Sequence, residues 1–312
     1  MLDIRDVFSN LLGLFLLIGV GYGAVRFGIL PAPTSKLFTR LLMNITLPAT
    51  VLTSLVQPYD PSFLSSGLLI VALGTFFYLL YGAICALLVR PLRVPEGKRG
   101  VWILACTFSN NGFMGFPISL ALFGEEGLVL AVFLGIPFNL LAYTLGPKLV
   151  CMDRAAAGNA PPLSWRFLLL TPVNVTTLLG LLLSGLQTSI PGVLPAPFTY
   201  LSNVTTPLSM LIIGMNLTGG KLSSLLRDRD VFSASFLRLL LLPLLTWGVL
   251  RLLPLDAPLV VGVLVIIMAM PAAAVTSLLA ETYDANTEFA AELVFLSSLL
   301  CLATIPLISL LL

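Results

Sequence analysis

Ten apolar segments, each long enough to cross a lipid bilayer, constrain what this chain can fold into. Its 312 residues are 58% hydrophobic and 10% charged, with a mean hydropathy of +1.06. Soluble domains carry about 25% charged residues, so this chain cannot cover a water-facing surface. A spanning helix needs about 20 mostly apolar residues; the segments that qualify are 7–26, 37–56, 63–89, 99–122, 128–150, 165–187, 198–219, 231–252, 257–280 and 288–311. The sequence therefore predicts an all-α membrane protein with ten transmembrane helices in a lipid bilayer.

The positive charges orient these spans. When the loops between ten spans alternate across the membrane, all of the 16 Lys and Arg residues except Arg5 and Arg251 fall on one side. Lys and Arg concentrate in cytoplasmic loops. We therefore expect an integral protein of a bacterial plasma membrane with both termini outside. The net charge of +2 and the lack of a long basic run predict no nucleic-acid partner.

Several classes of chemistry lack the residues they need. The chain has no histidine, which removes the commonest general base and metal ligand. It has neither a G-x-x-x-x-G-K-[ST] phosphate-binding loop nor a recognisable nucleophile–base pair. The cysteines are far apart, without a C-x-x-C motif, and are expected to be small buried apolar residues: Cys85, Cys106, Cys151 and Cys301. The sequence thus predicts no enzyme, no cofactor and no metal site, and leaves transport driven by a gradient or by the membrane potential.

A short repeat relates the two halves of the chain. "LLMNITLPATVL" at 41–52 recurs as "YLSNVTTPLSML" at 200–211, with matching Asn, Thr and Pro residues 159 positions apart. Each copy lies in the second span of its half, and an odd number of spans per half inverts the second copy. Inverted repeats around a midplane site are a common transporter architecture. We predict two inverted five-helix repeats, residues 1–152 and 165–312, joined by a short cytoplasmic linker at 153–164.

The segment "SNNGFMGFPIS" at 109–119 interrupts the fourth span with poor helix formers. Non-helical backbone survives at membrane depth only when it is buried in protein or lines a cavity. The ninth span has a matching interruption, Pro271 followed by three alanines. Broken spans in matching positions point to a transporter substrate site. Half-helix N-termini there would bind an anion such as a carboxylate, and Asn110 would add side-chain donors.

Three stretches resemble the auxin efflux carrier family of the bile-acid/sodium-symporter superfamily: "NITLP" at 44–48, "SNNGFMGFP" at 109–117 and "MPAAAVTSLLAETYDANTEFAAELVFLSSLLCLATIPL" at 270–307. The family includes plant PIN-type carriers and bacterial transporters labelled malonate permeases. The resemblance implies that broken helices 4 and 9 cross. It also implies a scaffold of helices 1, 2, 6 and 7, which usually dimerises. Helices 3–5 and 8–10 would form a transport domain that carries small organic anions by an elevator-like motion.

The same resemblance implies the site residues. Asn110 matches the family's substrate-contacting asparagine and Pro271 its second crossover proline, while "FNLLAYTL" at 138–145 faces the site from the fifth helix. The substrate-binding residues expected on this basis are Leu47, Pro48, Ser109, Asn110, Asn111, Asn139, Tyr143, Pro271 and Ala272. Plant carriers have proline at the position of Ser109. We therefore expect Ser109 and the glycines to form the first break in this chain.

Acidic residues near the inside ends of the ninth and tenth spans have two interpretations: Glu281, Asp284, Glu288 and Glu292. They could form a solvated cytoplasmic mouth, or Glu292 or Glu281 could couple transport to a proton or cation. Two transport functions also stay open. One is a carrier of a small organic anion, either an auxin-like aromatic acid or a carboxylate such as malonate. The other is a sodium-coupled symporter of bile-acid-like amphipathic anions.

A small-residue motif, Gly19-x-x-x-Gly23, lies in the first span. Glycines four residues apart share a helix face and let two backbones approach closely. The motif predicts that this face of the first helix packs against another helix.

Overall fold

The computed structural model of the protein describes residues 4–31, 33–56, 61–152, 170–186, 195–219 and 228–312. Every regular element within these ranges is helical, and no strand occurs in them. The α-helices are α1 (Ile4–Arg26), α2 (Thr34–Leu41), α3 (Leu47–Leu55), α4 (Pro61–Leu88), α5 (Arg99–Thr107), α6 (Phe116–Val150), α7 (Pro172–Gly185), α8 (Pro195–Asn216), α9 (Arg229–Phe236), α10 (Leu242–Leu252), α11 (Pro258–Met268), α12 (Val275–Thr282) and α13 (Thr287–Ser309). The all-helical prediction is confirmed for these residues.

Within the described ranges, five helical segments are long and apolar enough to cross a membrane: Phe8–Arg26, Phe63–Leu88, Asn111–Val150, Arg229–Leu252 and Thr287–Ser309. Two shorter apolar helices are Pro172–Gly185 and Pro258–Met268. Two other predicted spans, 99–122 and 257–280, are interrupted by non-helical backbone. The predicted span at 37–56 is helical over 34–55, with a π-turn between α2 and α3. The predicted linker at 153–164 lies outside the described residues.

Prolines explain three widened helical turns. π-Helical turns at Leu42–Thr46, Asn111–Gly115 and Leu237–Leu241 are each followed by an α-helix with proline in its first two positions. Proline has no N–H, so the usual bond to the carbonyl four residues back is lost. The residue before each proline instead bonds to the carbonyl five residues back, as Leu47 does to Leu42. The widened turn is therefore encoded locally, and such turns are frequent at functional sites.

The core lies around two short half-helices, α5 and α11. All residues at 100–111 and 262–273 are buried, including the ends of both half-helices and the non-helical residues that follow them. By contrast, α1 exposes leucines such as Leu12 and Leu16, each about 60% accessible. An apolar outer surface around a buried polar break suits a lipid environment, because protein must satisfy the backbone groups that lipid cannot.

Close backbone contact joins α1 and α8. A Cβ added to Gly21 would overlap the backbone of Leu211, and one added to Gly214 would overlap the backbone of Ile18. The prediction that Gly19 and Gly23 pack against another helix is wrong for the described residues: Gly19 is exposed with no described atom within 4 Å of an added Cβ, and the described neighbour of Gly23 is Phe27 of the same segment. Spacing alone could not show which face of α1 meets a neighbour.

The packing predicts different costs for two glycines on α1. Gly21→Ala should lower the free energy of unfolding by about 1–3 kcal/mol, because the new methyl group overlaps a backbone with no room to move. Gly19→Ala is the matched control and should cost nothing. Thermal unfolding of both purified variants in detergent measures the difference. An equal loss in the two variants would contradict the assigned helix face.

Candidate functional site

Two helix breaks meet in the buried centre of the molecule. The first break, residues 108–110, separates α5 from the turn that leads into α6; the second break, residues 269–274, separates α11 from α12. Ser109 and Ala272 form an antiparallel bridge pair. The N–H of Asn110 donates to the carbonyl of Pro271 at 2.9 Å, and the N–H of Ala273 donates to the carbonyl of Phe108 at 3.0 Å. Each break therefore satisfies backbone groups that the other leaves unpaired.

A buried network holds Ser109. Its hydroxyl donates to Asn111 Oδ1 at 2.8 Å and lies 3.0 Å from the hydroxyl of Tyr78 on α4. Asn111 Nδ2 also donates to the Tyr78 hydroxyl, at 3.0 Å. All three side chains are at most 2% exposed. Two predicted site residues, Ser109 and Asn111, thus have their polar groups engaged with each other and with Tyr78, which sequence reasoning missed.

Asn110 is placed differently from its neighbours. Its Oδ1 accepts a hydrogen bond from the N–H of Phe113 at 3.3 Å, so the side chain caps the turn that begins the second half-helix. Its Nδ2 has no hydrogen-bond partner within the described residues. The first N–H groups of a helix lack intrahelical acceptors and carry a partial positive charge. A free amide donor therefore stands beside a positive helix end.

The second break is fixed by residues outside it. The N–H of Ala272 donates to Ser297 Oγ on α13 at 3.1 Å, and Ser297 donates to the carbonyl of Leu293. Pro271 and Ala272 are both buried. The backbone groups of these two predicted site residues are therefore used in pairing the breaks. In the first turn of α12, the buried Thr276 hydroxyl has no partner within the described residues.

Arg238 is the largest addition to the predicted site. The charge pattern groups it with the cytoplasmic Lys and Arg residues, but it is 1% exposed and lies in the π-turn between α9 and α10 rather than in a loop. Its Nε donates to the carbonyl of Met270 at 3.0 Å, and its Nη1 donates to those of Cys106 and Thr107 at 3.2 and 3.4 Å. The guanidinium therefore binds the ends of both half-helices. A single charge inside an apolar run was the sequence signal for it.

The remaining predicted substrate residues lie on α3 and α6. A Cβ added to Gly112 would lie 3.4 Å from Leu47 Cδ2, so Leu47 packs directly beside the first break. Its neighbour Pro48 is buried. Asn139 on α6 donates to Asn174 Oδ1 of α7 at 2.8 Å, and Tyr143 lies one turn further along α6, half-buried. Leu47 is thus brought to the first break, whereas the recorded side-chain partner of Asn139 is on α7.

The candidate coupling residues lie away from the breaks. Glu281 is exposed, and Glu292 is half-buried near a cluster in which Lys98 lies 3.2 Å from Asp228 and 3.6 Å from Asp230. Partial burial acts to raise the pKa of Asp228. Hydrogen bonds from backbone N–H groups and from Lys98 outweigh this effect, so the pKa of Asp228 lies below its usual value. This arrangement favours the interpretation of a charged cytoplasmic mouth.

A separate cavity of about 600 Å³ lies between α10, α11 and the last residue of the chain. Trp247, Arg251 and Asp256 line it, and none of the predicted site residues does. We favour the breaks over this cavity because the Asn110 amide and the Thr276 hydroxyl, which lack partners within the described residues, lie at the breaks. Within the part of the chain that the structure describes, no cluster of three or more His, Cys, Asp or Glu side chains could hold a metal ion.

The backbone before Ser109 suits a proline at that position. Phe108 is extended (φ −102°, ψ 125°), the conformation that a residue before proline favours, and the N–H of Ser109 has no partner within the described residues. Ser109→Ala and Ser109→Pro both lose the bonds to Tyr78 and Asn111, about 1–3 kcal/mol. Proline restricts the unfolded chain and regains about 0.4–1 kcal/mol, so Ser109→Pro should unfold at a higher temperature than Ser109→Ala.

The control for that comparison is Thr107→Pro, two residues earlier. Thr107 is the last residue of α5, where proline removes a helical hydrogen bond and costs about 3 kcal/mol or more. Thermal unfolding of the purified variants ranks them. If Ser109→Pro were as unstable as Thr107→Pro, the described backbone of the first break would be wrong.

Comparisons with known proteins identify the family of the chain. The chain matches the membrane transport protein family over residues 6–309. It is 29% identical over 301 residues to an uncharacterized transporter of Methanothermobacter thermautotrophicus, covering 96% of each chain. It is also 26% identical over 310 residues to an uncharacterized transporter of Methanocaldococcus jannaschii, covering 94% of each chain. These matches indicate a transporter rather than an enzyme. The chain therefore belongs to the membrane transport protein family, which is the auxin efflux carrier-like family that its motifs resemble.

Proposed function

We propose that the protein is a secondary transporter of a small organic anion, either an auxin-like aromatic acid or a carboxylate such as malonate. The observation that carries the proposal is the meeting of two breaks around the free Nδ2 donor of Asn110. Two half-helix N-termini begin there, each equivalent to about half a positive charge. A carboxylate is the ligand that this combination suits best.

The proposed architecture has ten spans in two inverted five-helix repeats, residues 1–152 and 165–312. The fourth and ninth predicted spans, 99–122 and 257–280, would cross at the two breaks. Three contacts between the halves support it: the backbone pairing of the breaks, the close contact of α1 with α8, and a 2.7 Å hydrogen bond from Thr50 to Thr205. Both termini would lie outside a plasma membrane, as the distribution of Lys and Arg suggests.

Transport would proceed by an elevator-type alternating access. The proposed scaffold helices pack together, since α1 lies along α8 and α3 lies against α7 and α8. The proposed transport helices also pack together, with α4 against α5 and α6, and α12 against α13. The Asn139–Asn174 hydrogen bond spans the two sets, and such a motion would break it. A second copy of the chain would bind through the scaffold.

Asn110→Ala tests the proposed site. The change removes the free amide donor at the break, and we expect binding of the carried acid to fall by about 100-fold, as for loss of a hydrogen bond to a charged group. Binding of indole-3-acetate and malonate to the purified protein, followed by thermal shift, measures affinity, and flux into liposomes measures transport. The control Asn216→Ala alters an exposed asparagine at the end of α8 and should bind like the unmodified protein. An unchanged affinity in a folded Asn110→Ala would contradict the site.

Glu292→Gln tests the role of the acidic cluster. Because Glu292 lies with charged residues beside Lys98 rather than at the breaks, we expect Glu292→Gln to respond to imposed proton and sodium gradients in the same way as the unmodified chain. Flux into liposomes with each gradient imposed separately checks this, with the exposed Glu281→Gln as a second variant. Loss of one ion dependence in Glu292→Gln alone would instead assign coupling to Glu292.

A further inference from the structure

Arg238 is a buried cation whose counter-charge is backbone. The salt bridges found within the described residues do not include it, so no carboxylate there lies within 4.0 Å of its guanidinium. Its hydrogen-bond acceptors are the carbonyls of Cys106, Thr107 and Met270. The face of the Tyr81 ring lies 5.7 Å away. Burying a charge without compensation costs several kcal/mol. The carbonyls compensate the charge through Nε and Nη1, whereas Nη2 has no hydrogen-bond partner within the described residues.

The compensation has a definite size. Cys106 and Thr107 end α5, and Met270 lies just past the end of α11. Each helix C-terminus is equivalent to about half a negative charge, so two of them balance about one positive charge. One guanidinium therefore neutralises the two C-terminal ends. The two N-terminal ends, after the breaks, keep about one positive charge for a ligand.

Half-helix C-termini and unwound carbonyls are also where secondary transporters coordinate sodium. In this chain the corresponding carbonyls bind the guanidinium of Arg238, a cation that is part of the protein itself. We propose that Arg238 is a fixed substitute for a coupling cation, which lets the site hold a monovalent organic anion without bound sodium. The identity of the cargo rests on the proposed function, but the cation site itself does not. Arg238 is thus a positioning residue, since it acts on the anion through the half-helices.

A second observation fits this assignment. Tyr78 and Arg238 lie 160 residues apart, close to the 159 of the sequence repeat, and each reaches the breaks from the helix that precedes a broken span. Tyr78 is neutral and binds side chains of the first break, whereas Arg238 is cationic and binds the carbonyl ends. The two halves have therefore placed a polar side chain at corresponding positions, and only one of these carries charge.

The test removes the cation and adds one back. Thermal unfolding of the purified protein is measured in choline chloride, in sodium chloride, and with methylguanidinium added, for the unmodified chain, Arg238→Ala and Arg238→Met. We expect no sodium effect on the unmodified chain and a lower midpoint in both variants. Methylguanidinium should restore Arg238→Ala, where the carbonyls and the space are free. It should not restore Arg238→Met, whose side chain fills the space. Arg251→Ala, an exposed arginine thirteen residues further along, controls for general effects and should not respond.

Affinity for an anion distinguishes the effect of the Arg238 charge from an effect of its packing alone. Arg238→Lys keeps the charge and should bind indole-3-acetate or malonate within a few-fold of the unmodified chain, while Arg238→Met should lose about tenfold, or 1.4 kcal/mol. Sodium-dependent binding or sodium stabilisation of the unmodified chain would overturn the proposal, as would the absence of methylguanidinium rescue. If Arg238→Ala does not fold, the sodium comparison and Arg238→Lys decide. If neither acid binds but rescue is observed, the proposed function fails while the cation site stands.

Discussion

The pairing of two broken helices is the interaction on which the rest of the structure depends. Lipid offers no partners to a backbone that leaves the helix, and each unpaired group costs several kcal/mol there. Asn110 and Ala273 donate across the breaks, so each interruption is tolerated because the other exists. This requirement explains why residues 100–111 and 262–273 are the most deeply buried stretches. A break at either position alone would leave its polar groups in an apolar core.

When the breaks pair, four half-helix ends lie close together, and the partial charges at these ends must be compensated. Arg238 compensates the partial negative charge of the two C-terminal ends by donating hydrogen bonds to their carbonyls. The two N-terminal ends have Asn110 as a cap and a donor but no acid among the groups described at the breaks. The resulting asymmetry, with the negative ends neutralised and the positive ends free, is the basis for the anion site that we propose. Stability and the proposed function thus draw on the same backbone groups.

Much of this arrangement was predictable because it is local. Poor helix formers at Ser109–Asn111 and Pro271 predicted the breaks, and both segments are non-helical or widened at those residues. The exact limits were not predictable, because glycine, asparagine and proline also suit a π-turn. Pro117 widens the helix after the break and does not end one. The contacts that depend on which helices become neighbours were not predictable, because no local pattern in a single sequence encodes them. These are the contacts made by Tyr78, Ser297 and Gly21.

Ser109 shows how one constraint can be met in two ways. A proline there would favour the extended backbone at Phe108 by restricting rotation. Serine leaves rotation free and instead anchors the break through hydrogen bonds to Tyr78 and Asn111. Proline would restrict the conformations of the unfolded chain, whereas serine stabilises the folded chain. Serine therefore requires a hydrogen-bond partner from α4. The polar residues that interrupt the fourth span therefore have different roles. Ser109 and Asn111 hold the break, whereas the Nδ2 donor of Asn110 has no partner within the described residues.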